Sequence, residues 1–216
     1  MIDRLIEWGP ALMRGTALTI FLTVASFVFA LVLGLVLALA RLNRQRWYLY
    51  QPAQGFVEFV RGTPLLVQLF YLYFVLPFVG ITMNPILTGI LGLGINYGAY
   101  MSEVYRAGIE AIDRSQWEAA HALAMPTPLI LRIVVLPQAF RIVIPPMGNY
   151  LVSLFKDTAI VATISIRELL FSARLLAAET FQYFAIFTVV LVIYFAISYP
   201  ASRGVAWLER RMRIGA

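Results

Sequence analysis

The chain has 216 residues, 61% hydrophobic and only 13% charged, with a formal net charge of +6 at neutral pH. Soluble domains run near about 45–50% apolar and about 25% charged, so this composition excludes an ordinary water-soluble enzyme, and disorder with it. A mean hydropathy of +0.82 and long apolar runs indicate an all-α polytopic membrane protein built as one helical domain.

Residues 1–14 (with Asp3, Arg4, Glu7, Trp8 and Arg14) read as a short amphipathic segment at the membrane interface, too charged to span. The first span, residues 16–40, is longer than a signal-peptide core of about 7–15 residues. It carries Ala30, Gly34 and Ala38 four apart, a face suited to close helix packing, and meets the headgroups at Arg41, Arg44, Arg46, Trp47 and Tyr48. A second span, about 56–79, holds Glu58 and Arg61 and is broken at Thr63-Pro64. A third, about 85–105, presents Gly94 and Gly98 as a GxxxG face and carries Glu103 near its end. Residues 106–132 are polar. A fourth, irregular span begins near Ile133, contains Pro137, Pro145, Pro146 and Gly148, is interrupted by Lys156-Asp157 and resumes to Ile166. A fifth covers about 183–202, and the chain closes with an Arg-rich tail.

Five spans put the termini on opposite sides. Ten loop cations fall on the side of the C-terminus and the 106–132 loop, and five on the other. The positive-inside rule therefore predicts a cytoplasmic C-terminus and an outside N-terminus. The same bias accounts for the +6 without a nucleic-acid partner. Sixteen of the seventeen cations are Arg, Lys156 being the only Lys; with no Cys and one His, disulfides, thiol chemistry and Cys or His metal clusters are excluded. Trp8, Trp47, Trp117 and Trp207 all fall at predicted interfaces.

The polar loop carries the most specific pattern. Ser115 and Glu118 fit a capping box and predict a helix from 115–116 to the Pro126/Pro128 stop, roughly 15 Å long and too short to span. Trp117, Ala120 and Ala124 share one face; Gln116, Glu118 and His121 lie on the other. From the residues alone it is either a surface helix lying on the bilayer or a docking peg for a cytoplasmic partner.

Glu118-Ala119-Ala120, three residues, Ala124, nine residues, then Val134, Leu136 and Pro137 resemble the E-A-A–x3–G–x9–I-x-L-P loop of type I ABC importer permeases. Ala124 stands at the Gly place and Val134 at the Ile place. Ala enters a left-handed turn at a cost, so the helix is expected to continue to Met125. Arg61-Gly62-Thr63-Pro64-Leu65-Leu66-Val67-Gln68, Ala99-Tyr100 with Glu103 and Arg106, the run 136–141, Pro145-Pro146 with Gly148-Asn149, and Lys156-Asp157-Thr158 are similar to segments of the polar amino-acid (His/Glu/Gln/Arg/opine) branch.

The resemblance covers about residues 15–208 and implies a permease domain over that range, with a coupling helix at about 115–126 and a tail at 209–216. It implies import of a polar amino acid or related zwitterion across the bacterial cytoplasmic membrane by alternating access. The implied partners are two cytoplasmic ATP-binding subunits, a second permease chain and an extracytoplasmic solute-binding protein. ATP and Mg belong to the ATPase, and no cofactor is expected in this chain, which has no Walker-type phosphate loop. Trp117, Glu118, Ala119, Ala120, His121 and Ala124 would dock the ATPase. The alternatives are a channel or secondary carrier working alone, or an intramembrane enzyme; scattered carboxylates and a lone His speak against the latter.

Ionisable groups at membrane depth face protein or water. Asp157 and Lys156 are read as lining the path, with Asp157 meeting a substrate ammonium, or as a pair that lies at the outer interface or locks the fourth span to a neighbour. Glu103 and Arg106, three apart, are expected to pair, as are Glu58 and Arg61; Glu103 is also a candidate substrate contact, and Arg61 is also suited to a substrate carboxylate or a cytoplasmic gate. Gln68, Asn96 and Asn149 are either cavity groups or interhelical hydrogen-bonders.

Overall fold

A computed structural model describes residues 2–42 and 44–212, with side chains from residue 7 onward. Arg213 lies outside these residues, as do the side chains of Asp3 and Arg4. Every regular element among the described residues is helical: α1 (Ile2–Arg41), α2 (Trp47–Gly62), α3 (Leu65–Phe70), α4 (Pro85–Glu110), α5 (Arg114–Ala122), α6 (Thr127–Ile130), α7 (Leu136–Asp157), α8 (Leu169–Thr180) and α9 (Tyr183–Met212). A wider turn over Tyr71–Val75 and a tighter one over Leu76–Val79 prolong α3; Leu131–Val135 joins α6 to α7, and a tight helix over Thr158–Ile164 follows α7.

Among the described residues three stretches are long and apolar enough to cross a bilayer: Glu7–Arg41, Thr127–Ile164 and Tyr183–Met212. A fourth is the broken pair Trp47–Gly62 and Leu65–Val79, bent by 106°. The remaining expected span, α4, has 26 residues, ample for a crossing, but it is rich in Gly and carries Asn96, Tyr97 and Glu103. Its environment explains this, since α1, α2, α3 and α7 pack around it and a helix shielded from lipid does not need an apolar surface all round.

The α1–α4 seam is where the two small-residue faces meet. Ala30 and Ala38 are buried, and a Cβ on Gly34 would lie 2.5 Å from Met101 Cβ and 2.9 Å from the Gly98 carbonyl. A Cβ on Gly94 would lie 2.4 Å from the Phe29 ring. Only glycine permits this approach.

Two sequence expectations change at the periphery. Residues 2–14 run into the first span as one helix. Trp8 is not interfacial but 3% exposed, in a core with Leu12, Leu169, Ala173, Ala177, Ile186 and Val190. Helix α8 folds back over α1 and α9 and covers it. Glu168 caps α8 by accepting the Leu170 and Phe171 N–H groups, and Thr19 and Tyr194 donate to the same buried carboxylate.

Candidate functional site

The break in the second span builds the middle of the molecule. Pro64 has no N–H to donate, so the chain leaves the α2 axis at Thr63 and orphans carbonyls at membrane depth. Gln68 meets them: its Nε2 donates to Val60 O at 2.7 Å, Thr63 O at 3.1 Å and Thr63 Oγ1 at 2.8 Å. Its Oε1 accepts from Asn96 Nδ2 at 3.1 Å, which ties the elbow to α4. Gln68 and Asn96 therefore realise the interhelical alternative, although Asn96 also borders the cavity described next.

That cavity, about 470 Å³, opens beside the elbow and is lined by Arg61, the 62–65 break, Asn96, Tyr97, Tyr100, Tyr150, Ser153, Asp157 and Ile160. Asp157, the last residue of α7, accepts a 2.7 Å hydrogen bond from Tyr97 Oη. The rings of Tyr97, Tyr100 and Tyr150 contact one another with centroids 5.7–6.5 Å apart. The wall thus offers a carboxylate, a guanidinium and aromatic faces.

Of the expected path residues, Asp157 and Arg61 are brought together here. Lys156, one helical step round from Asp157, is exposed on another face and does not line this cavity. Asn149 lines a different cavity with Arg141, Pro145, Pro146 and Glu209. Sequence reasoning missed Tyr97, Tyr150 and Ser153 as wall residues. The signal was present, since Tyr150, Ser153 and Asp157 recur at i, i+3 and i+7 on α7.

A second cleft, about 750 Å³, lies between the C-terminal end of α4 and α5; Arg41, Arg44, Glu58, Arg61, Glu103, Arg106, Glu110 and Trp117 are among its lining. Glu103 is its hub. Arg41 Nη2 approaches Glu103 Oε1 at 2.6 Å, Arg106 Nη2 approaches Oε2 at 2.7 Å, and Arg61 Nη1 approaches Oε1 at 3.4 Å. The Glu103–Arg106 pairing is as expected. A Glu58–Arg61 pair is absent among the described residues: Glu58 accepts from Gln54, while Arg61 crosses to α4, with its guanidinium 5.5 Å from the Tyr100 ring centroid. Arg41, a headgroup cation by sequence, is buried and also donates to Ser102 Oγ and Gln54 Oε1.

The short helix expected at 115–126 is α5, from Arg114 to Ala122, and is shorter than expected. Its N-cap is Asp113, not Ser115: the Asp113 carboxylate accepts the Ser115 N–H at 2.8 Å, and that bond holds its pKa below the usual range. An ionised acceptor two residues upstream outcompetes the Ser115 hydroxyl. Glu118 lies 4.0 Å from Arg114 on an exposed face.

The C-terminus overturns the expected continuation to Met125. Ala124 adopts φ +55°, and Met125 N–H and Ala124 N–H bond to the carbonyls of Ala120 and His121 at 3.2 and 2.9 Å. This is a complete Schellman motif, with alanine in the position that favours glycine.

Ala120 is buried, and Trp117 and Met125 pack beside it on Ile112, Ile130 and Val135. Glu118, Ala119, His121, Leu123 and Ala124 are exposed. His121 Nδ1 lies 2.7 Å from Trp117 O. The helix is thus clamped on one face and open on the other.

Residues 30–214 match the family described as the binding-protein-dependent transport system inner membrane component. The chain belongs to that family. Among its relatives is a probable amino-acid ABC transporter permease of Sinorhizobium fredii, 45% identical over 193 residues, covering 89% of this chain and 83% of the relative. The L-cystine transport system permease TcyB of Bacillus subtilis is 37% identical, covering 95% and 88%. A solved structure described as an amino acid ABC transporter with histidines superposes with TM-score 0.93 at 32% identity, over 98% of both chains. The inward-facing MetNI methionine transporter, at 18% identity and TM-score 0.71, shares the fold. The chain is therefore a multi-pass inner-membrane transport component of the ABC importer class, and the stand-alone carrier is set aside.

Proposed function

We propose that this permease passes a polar amino acid or related zwitterion through the Asp157 cavity, powered by two partner ATPases that grip the exposed face of α5. The observation that carries the reading is the placement of Asp157 and Arg61 in one cavity beside a broken span, with Tyr rings between helices α4 and α7. Asp157 attracts the ammonium, reinforced by the carbonyl-rich end of α7; Arg61 attracts the carboxylate. Discontinuous helices at the membrane midplane are where transporters place such sites. The amino-acid permeases among the relatives support the solute class.

ATP is bound with Mg²⁺ and hydrolysed on the partner chains, and this chain contributes no catalytic step. A second permease, identical or related, completes the pore, and an extracytoplasmic binding protein delivers solute. The N-terminus lies outside and the C-terminus in the cytoplasm, as the distribution of loop arginines supports. Asp157→Asn in the reconstituted complex tests the cavity. Loss of one charge-assisted contact raises the KM for uptake by about 10–100-fold; unchanged uptake with unchanged solute preference rejects the assignment.

A further inference from the structure

Among the described residues, Arg61 alone is shared by the linings of the Asp157 cavity and the arginine-rich cleft beside α5. It sits at the end of α2, and its side chain keeps 42% of its surface exposed. On the cleft side it is the loosest of the three cations around Glu103, at 3.4 Å against 2.6 Å for Arg41 and 2.7 Å for Arg106. Glu103 therefore retains two short, charge-assisted contacts when Arg61 leaves. On the cavity side the guanidinium lies over Tyr100, itself part of the cavity wall. Among the described residues, the one carboxylate lining that cavity is Asp157, which already accepts from Tyr97.

We infer that Arg61 is a two-position latch: it closes on Glu103 while the cavity is empty and turns to the carboxylate of a bound zwitterion when the cavity is filled. The inference rests on the proposed solute cavity and adds what solute does there. In the first position Arg61 ties α2 to α4 on the cytoplasmic side. In the second the tie is gone, and α4 is free to move with α5, which follows it after three residues and whose Trp117 borders the same cleft. Solute thereby loosens the cytoplasmic side. A two-position role needs two alternative anionic partners with a small energy gap between them, and a weak, partly exposed ion pair supplies that.

The test uses the full complex, with its ATPases and binding protein, in vesicles. The chain contains no cysteine, so Ser153→Cys places one thiol per copy of this chain, in the cavity wall, and a membrane-impermeant maleimide reports its access from the cytoplasmic face. In that background Arg61→Gln is expected to raise solute-free labelling and solute-free ATP hydrolysis about two- to fivefold, the bias one partly exposed pair exerts. The KM for uptake rises as well, and solute no longer stimulates either signal. Arg61→Lys keeps the charge for Glu103 but not the bidentate fork: its solute-free labelling stays near the parent's while its KM rises, which also controls for folding.

If Arg61→Gln raises KM alone, Arg61 holds solute without latching; the inference is overturned and the cavity reading stands. If labelling rises and KM does not, the cleft closes without reference to solute, and the two-position mechanism is overturned. If neither changes and Asp157→Asn is also silent, the cavity reading fails and takes the latch with it.

Discussion

Ala124→Gly is predicted to stabilise the coupling helix without altering its exposed face. Ala124 sits at φ +55°, where an L-residue with a Cβ is strained by about 1–2 kcal/mol. Glycine relieves that strain but gains conformational freedom in the unfolded chain, which offsets about 0.4–1 kcal/mol. The net effect on opening of α5 is about 0.5–1 kcal/mol, a two- to fivefold rise in hydrogen-exchange protection of the amides from Ser115 to Met125. The side chain of Ala124 is exposed, so no packing is lost, and uptake by the reconstituted complex stays at the parent level or above. Ala124→Val acts oppositely, because a β-branched residue at positive φ is an outlier; protection over the same amides falls. Unchanged protection in the glycine variant, or higher protection in the valine variant, would refute a left-handed turn at this position and the Schellman closure built on it.

Glu118→Lys leaves the fold intact, since the 4.0 Å contact with Arg114 is exposed and contributes only about 0.2–0.5 kcal/mol. It repels the partner cations, and copurification of the ATPase with ATP-coupled uptake falls at least about tenfold; normal transport would sink the docking role. Gln68→Leu removes the donor to Val60 O and Thr63 O and costs about 1–3 kcal/mol per carbonyl left unsatisfied. It lowers the thermal midpoint of the detergent-solubilised complex, whereas Gln68→Glu, which keeps the shape without the donor, lowers it by a comparable amount. Asp113 has a depressed folded-state pKa, so its contribution is present above the unfolded value near about 4 and is lost as pH falls through the folded value. Exchange protection at the start of α5 therefore declines below about pH 4 in the parent and loses that pH dependence in Asp113→Asn.

The parts of the fold governed by local sterics were legible in the sequence. Small residues four apart mean close approach wherever the partner lies, and the Ala30–Gly34–Ala38 and Gly94–Gly98 faces met each other. Thr63-Pro64 predicted a break because proline removes a donor in any context. Legibility failed where two local rules compete. Asp113 and Ser115 both satisfy N-cap chemistry, and the carboxylate prevailed. The Ala124 turn went against alanine's own preference because closure onto Ala120 and His121, with Met125 packed beside Ala120, outweighs the strain. Arg61 was within reach of Glu58 along its own helix and went instead to Glu103 and Tyr100 on α4. Spacing in the chain cannot register a neighbouring helix.

The same limit explains why half of the cavity was visible. A charged residue in an apolar run announces itself by its insertion cost, so Asp157 and Arg61 stood out. Tyrosine is at home in membrane cores and at interfaces alike, so residue type alone does not set Tyr97 and Tyr150 apart. What distinguishes them is the company they keep: a hydroxyl on Asp157 and rings in edge-on and stacked contact around a cavity. The broken span links the two kinds of residue. Once Pro64 turns the chain, the backbone between Gly62 and Leu65 stops filling space next to α4 and becomes cavity wall. The end of α2 then carries Arg61 to the partition between cavity and cleft. A continuous helix would close that space with its own side chains, so the kink that costs hydrogen bonds, and the glutamine that replaces them, are the conditions for having a polar path here at all.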